Sequence, residues 1–146
     1  MKMRILIILT ILFLNGCVSG KYGNFTSVKN LSSEVTEEFA NSAYTQLITL
    51  YAPGKTHFKL EHDFNDSFGV SLYEKLQKEG YALSANTADK KKDDLNTHSL
   101  AYVVDEADNN IYRLSLIVDG FPITKAFLIQ NEKALSLGFW TKQNKE

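Results

Sequence analysis

One cysteine, three histidines and a short acidic run are the groups in this 146-residue chain that could carry chemistry. Cys17 is the only thiol, so no disulfide can close within the chain. A metal site would have to draw on His57, His62 and His98. His57 and His62 are an odd number of residues apart, and in a strand such a pair faces opposite sides. His98 has no ligand-forming partner near it in the sequence. Asp105, Glu106 and Asp108 fall where a turn is expected, and acidic residues are ordinary turn formers. Calcium would need more oxygen ligands at loop spacing than this stretch supplies. The patterns GxSxG, HExxH and GxGxxG and the P-loop do not occur. The expectation is a chain that is not an enzyme, with no catalytic residue, metal, cofactor or small-molecule substrate.

The thiol takes its meaning from its flank. Met1-Lys2-Met3-Arg4 brings two positive charges, and residues 5–14 follow with only Thr10 polar. A helix needs roughly 20 apolar residues to cross a bilayer. A run half that long suits the h-region of a secretory signal peptide. Leu14-Asn15-Gly16-Cys17 resembles the lipobox of bacterial lipoproteins: an aliphatic residue, a tolerant position, a small residue, then cysteine. The resemblance implies cleavage before Cys17 and a diacylglyceryl thioether on its sulfur. One acyl chain holds a protein to a membrane only marginally, and two or more anchor it stably. Cys17 is thus expected to be a lipid attachment point. The plainer alternatives are an unlipidated signal peptide followed by a chance cysteine, or a buried core segment. Val18 stands where an Asp would resemble an inner-membrane retention signal, which directs the expectation to the periplasmic face of the outer membrane.

Three segments follow from this reading: a signal peptide over 1–16, a lipidated tether over 17–30 and one domain over 31–146. Loss of 1–16 removes Lys2 and Arg4 and leaves 14 basic against 17 acidic residues, a net charge of −3. Nucleic-acid binders are strongly basic, so direct contact with nucleic acid is not expected. Nine Phe, seven Tyr and one Trp are enough to fill a core. The tether sequence VSGKYGNFTSVKN is polar and aperiodic, broken by Tyr22 and Phe25. Full extension of residues 17–30 would reach roughly 45 Å. Tyr22 and Phe25 are expected to dock on the domain or on lipid headgroups, or to bind a partner.

The elements of the domain can be read from periodicity. Val35, Phe39, Ala43, Leu47 and Leu50 recur at helical spacing across residues 31–51, with Ser32 or Ser33 as cap and Ala52-Pro53-Gly54 as stop. Residues 56–62 alternate as a half-buried strand, with Phe58 and Leu60 on one side. Asn65-Asp66-Ser67 opens a second helix lined by Phe68, Leu72, Tyr73 and Leu76, and Gly80 closes it. A short strand over 81–85 precedes a charged loop over 86–96. Strands over 99–105, 111–118, 121–130 and 134–141 are separated by short turns, among them Asp119-Gly120. The fold expected is α+β, two helices on one face of a small, mostly antiparallel sheet.

Taken together, the mature chain resembles the TrbH family of conjugal transfer lipoproteins. The resemblance is carried by CVSGKYGNF at 17–25, QLITLYAPGKTHFKL at 46–60, DSFGVSLYEKLQKEGYAL at 66–83, YVVDEADNNIYRLSLIVDG at 102–120, and TKAFLIQN with LSLGFWTKQ within 124–143. Each piece is short; their collinearity is the specific feature. The resemblance implies a structural or assembly part in mating-pair formation, within the type IV secretion apparatus that moves plasmid DNA between bacteria. Its partners would be the membrane, through the lipid, and other subunits of that apparatus. The family carries no catalytic residues over to this chain. The competing reading is a general envelope lipoprotein: an assembly chaperone of an outer-membrane complex, or an activator of a cell-wall enzyme.

A partner surface is expected at the last strand, whose edge could accept an added strand. Alternation separates Leu135, Leu137 and Phe139 from Ser136, Gly138 and Trp140. The first three are expected to enter the core under the helices. The second three would then face outward, with Trp140 either an interaction hot spot or a satellite folded over the core.

Overall fold

The computed structural model describes the backbone of residues 25–26 and residues 31–85 and 96–143. Cys17, Tyr22 and the charged loop over 86–95 lie outside the described residues. A two-residue strand, β1 (Phe25–Thr26), falls within the segment read as a tether.

Helix α1 (Ser33–Leu50) starts where Ser32 caps it, its side chain accepting the Val35 N–H at 3.3 Å. Its buried stripe is Val35, Thr36, Phe39, Ala40, Ala43 and Leu47. Pro53 cannot continue a helix, and Gly54 follows at φ 72°. Strand β2 (His57–Leu60) buries Phe58 and Leu60 and turns His57 and Lys59 the other way. Helix α2 (Ser67–Lys78) is capped by Asp66, which accepts the Gly69 N–H at 2.9 Å. It ends in a Schellman motif. Gly80 (φ 93°) donates to the Gln77 carbonyl and Tyr81 to that of Leu76, and the Leu76 and Tyr81 side chains are both buried. Strand β3 (Ala82–Ala85) follows. The two helices are bridged by Glu37, which accepts from Ser71 Oγ and pairs with Lys75 Nζ. Its carboxyl is held below the usual carboxylate range by the Lys75 bond first and the Ser71 bond second.

Four long strands complete the chain: β4 (Thr97–Asp108), β5 (Ile111–Val118), β6 (Phe121–Gln130) and β7 (Lys133–Lys142). Their turns force left-handed backbone, with Asp119 and Gly120 at φ 53° and 78°, and Asn131 and Glu132 at 51° and 59°. Two successive positive φ values match the right-handed twist of a hairpin. The expected turn over residues 106–110 is shorter than the sequence suggested. Strand β4 runs on to Asp108 through a bulge, and only Asn109-Asn110 reverses the chain.

The sheet order is β3-β2-β4-β5-β6-β7, with β1 beside β4. The pairs β4–β5, β5–β6 and β6–β7 are antiparallel, as expected of a meander. The sequence reading did not foresee that β2 is parallel to both β3 and β4, and β1 parallel to β4. Parallel neighbours need a crossover, and α2 supplies it between β2 and β3. Both helices pack on one face of the sheet. Phe39 meets Phe127 at 4.6 Å between ring centroids, and Phe68 meets Tyr102 at 4.7 Å. Leu100, Tyr102, Val104, Leu114 and Leu116 complete that core, all fully buried.

Candidate interaction surface on the last strand

Strand β7 is an edge strand, as expected, but its faces are inverted relative to the sequence reading. Leu135, Leu137 and Phe139 do not enter the core: they are 46, 43 and 91% exposed. The pairing with β6 decides this. Ser136 lies opposite Phe127 and Ala134 opposite Ile129, and both β6 residues pack toward α1. Leu135 lies opposite Leu128 and Leu137 opposite Ala126, on the face away from the helices. Alternation identified two rows correctly, but which row is covered depends on the partner strand.

Trp140 is half-buried and packs against the margin of the core beside Ala134. Lys125 Nζ sits 5.9 Å from the Trp140 ring centroid and 5.5 Å from that of Phe127, holding the two rings by cation–π contact. Ser136 and Trp140 line one wall of a trench of about 370 Å³, and Asn41, Ser42 and Thr45 of α1 line the other. Gly138 is the pivot of an irregularity. Thr124 pairs with Thr141 and Ala126 with Leu137, so Gly138, Phe139 and Trp140 stand opposite the single residue Lys125. Gly138 takes φ 80°, which a side chain would strain, and its carbonyl accepts from Ser136 Oγ at 3.2 Å. This bulge pushes Phe139 out of the sheet. A glycine inside a strand pattern is the sequence feature that could have flagged it.

The structure therefore brings Ser136, Gly138 and Trp140 together on β7. Phe25 lies apart from them, its backbone beside Val103 on β4. The sequence reading did not single out Phe139 as exposed or Lys125 as a clamp.

Each histidine has a structural neighbour. His57 Nε2 meets Ser84 Oγ at 2.8 Å, and His98 Nδ1 meets Asp119 Oδ2 at 2.6 Å. His62 Nε2 accepts the Tyr102 N–H at 3.3 Å, and burial lowers its pKa from the ordinary value. Tyr102 donates its hydroxyl to Asp66 Oδ2, and burial together with that bond raises its pKa far above the usual phenol range. Gly69 leaves room for this phenol, since a Cβ there would lie 2.3 Å from Tyr102 Oη. Asp66 thus caps α2 with one oxygen and ties it to β4 with the other. Among the described residues no group of three or more His, Cys, Asp or Glu is placed to hold a metal ion. None of the described helices is long and apolar enough to cross a membrane.

Residues 19–144 match the family described as conjugal transfer protein TrbH. No curated protein and no solved structure matches the chain.

Proposed function

The chain belongs to the TrbH family of conjugal transfer proteins, and on that footing we propose that it is a lipid-anchored structural or assembly component of the mating-pair apparatus. The observation that carries this reading is the match itself, which spans residues 19–144 and begins two residues after Cys17. In this proposal Cys17 holds the protein at the periplasmic face of the outer membrane, and the domain contacts other transfer subunits. The exposed row of β7 supports a contact role. Leu135, Leu137 and Phe139 are exposed, Ser136 and Trp140 line the trench beside α1, and Gly138 opens the bulge that carries Phe139. A large exposed aromatic beside aliphatic neighbours is the composition of an interaction hot spot.

Two experiments test the proposal. Cys17→Ser should release the protein from the membrane fraction, and mass spectrometry of the wild type should find acyl groups on Cys17. Equal membrane retention and an unmodified thiol would overturn the anchor. Deletion of the gene should lower plasmid transfer, with a second copy restoring it; unchanged transfer under several mating conditions would overturn the conjugal role.

A further inference from the structure

A side chain stands in for a strand at one place in this sheet. Strand β2 pairs with β4 as far as Leu100, and the Glu61 N–H still reaches the Leu100 carbonyl at 2.9 Å. The next β4 amide on that side belongs to Tyr102, and it donates to His62 Nε2 at 3.3 Å. A buried amide left without an acceptor is costly, so the imidazole does the work of a missing strand carbonyl. The other ring nitrogen, Nδ1, lies 3.2 Å from the Asp63 carbonyl oxygen. An amide N–H can only donate and a carbonyl can only accept, so these two contacts require a neutral ring with its proton on Nδ1. Two aromatic rings hold it there: Tyr102 edge-on at 4.7 Å between centroids and Phe64 at 5.0 Å.

We propose that His62 is a proton-operated latch: neutral, it fastens residues 61–65 to β4 through the Tyr102 amide, and protonated, it releases them. A proton on Nε2 sets two N–H donors face to face, with no hydrogen bond left between them. The expelled ring has somewhere to go. It already lines a cavity of about 300 Å³ whose walls include Asp63, Asn65 and Ser84, polar groups beside which an imidazolium is hydrated. Among the described residues, the charges that act on the ring are Asp66, Asp63 and Glu61, all favouring the imidazolium, and burial outweighs them. Tyr102 from β4, Tyr73 from α2 and Ser84 from β3 face it uncharged. The latch is therefore closed above the ordinary imidazole value of 6.5 and opens as the pH falls through the lowered folded value. The release is bounded. Asp66 accepts the Tyr102 hydroxyl with one oxygen and the Gly69 amide with the other, and neither bond involves His62. Helix α2 thus stays tied to β4 while the loop ahead of it opens, and the half-buried Phe64 ring, packed on His62 and Tyr102, is uncovered with it.

The test is a pH titration of the full chain, labelled with nitrogen-15 and read by NMR. At neutral pH the His62 ring should show a bare Nε2 and a protonated Nδ1. As the ring titrates, protection of the Tyr102 amide against hydrogen exchange should fall by roughly tenfold for each pH unit below the imidazole pKa. The buried Leu72 of α2 and Leu116 of β5 should keep their amide protection over the same range, which separates a local opening from acid unfolding of the whole domain. His62→Gln keeps an acceptor but cannot titrate, and should keep the Tyr102 amide protected throughout; the wild-type titration decides the matter by itself if that variant fails to fold. A neutral ring protonated on Nε2 would overturn the latch. So would Tyr102 protection that stays constant while the ring titrates, that falls equally with Leu72 and Leu116, or that falls in His62→Gln as it does in the wild type. The readout is independent of plasmid transfer, so either result stands whatever the outcome for the conjugal role.

Discussion

Replacing Phe139 with Ser should leave the domain folded and reduce plasmid transfer. The magnitude follows from exposure. A phenylalanine has roughly 200 Å² to bury, and at 91% exposed only about 18 Å² of it is covered. At about 25 cal/mol per Å² the fold loses about 0.5 kcal/mol, or about 2 °C in Tm for a domain of this size. Phe39 is the internal contrast: it is fully buried against Phe127, and Phe39→Ala should cost about 3–5 kcal/mol. The assay is paired: thermal unfolding of the purified mature domain and transfer frequency from cells expressing the variant. Near-native melting with reduced transfer is the expected pattern for Phe139→Ser. Full transfer by Phe139→Ser and by Leu137→Ser would refute the outer row as a contact surface. A fall in Tm above about 5 °C for Phe139→Ser would show that something in the fold covers this ring, and would refute the exposure argument itself.

Trp140→Ala should behave differently, because the ring is half-buried: a loss of about 2 kcal/mol in chemical denaturation is expected, against about 0.5 or less for a ring that touches only a partner. Gly69→Ala drives a methyl into Tyr102 Oη and should cost about 2–4 kcal/mol; removing the hydroxyl as well, with Tyr102→Phe, should recover part of that loss in a double-mutant cycle. The raised pKa of Tyr102 gives stability that is complete below the ordinary phenol value of 10 and is lost as pH rises above it. Alkaline unfolding should therefore flatten in Tyr102→Phe. His62 has the opposite sign: its lowered pKa gives stability that is complete above 6.5 and falls as the solution is acidified below it, and His62→Gln, which keeps an acceptor for the Tyr102 N–H, should flatten the acid limb of a Tm-against-pH curve.

What the sequence made legible follows the range of the interactions involved. Both helices were readable because their determinants are local: Ser32 and Asp66 as caps, Gly80 as terminator, and apolar residues at spacings of three and four. The meander from β4 to β7 was readable from alternation and from turn residues such as Asp119-Gly120. The parallel placement of β2 between β3 and β4 was not, because four-residue strands such as HFKL and ALSA carry no mark of which neighbour they will take. The bulge at Gly138 was missed for a related reason. A two-residue insertion preserves alternation, so the row Leu135, Leu137, Phe139 reads the same with or without it. The inverted faces of β7 show the same limit. An apolar row predicts burial only if a covering layer lies on its side of the sheet, and which side the helices cover is set for β7 by its pairing with β6.

The outer edges of this sheet are the short strand β3 and the long strand β7. Strand β7 has ten residues, enough to template an added strand, yet three features oppose that use. Lys133 and Lys142 put a charge at each end, and the Gly138–Trp140 bulge breaks the regular spacing of backbone groups in the middle. These are the devices by which natural sheets keep an edge from pairing indiscriminately. If β7 meets a partner as proposed, the bulge and end charges favour contact through its side chains, Phe139 foremost, over an added strand.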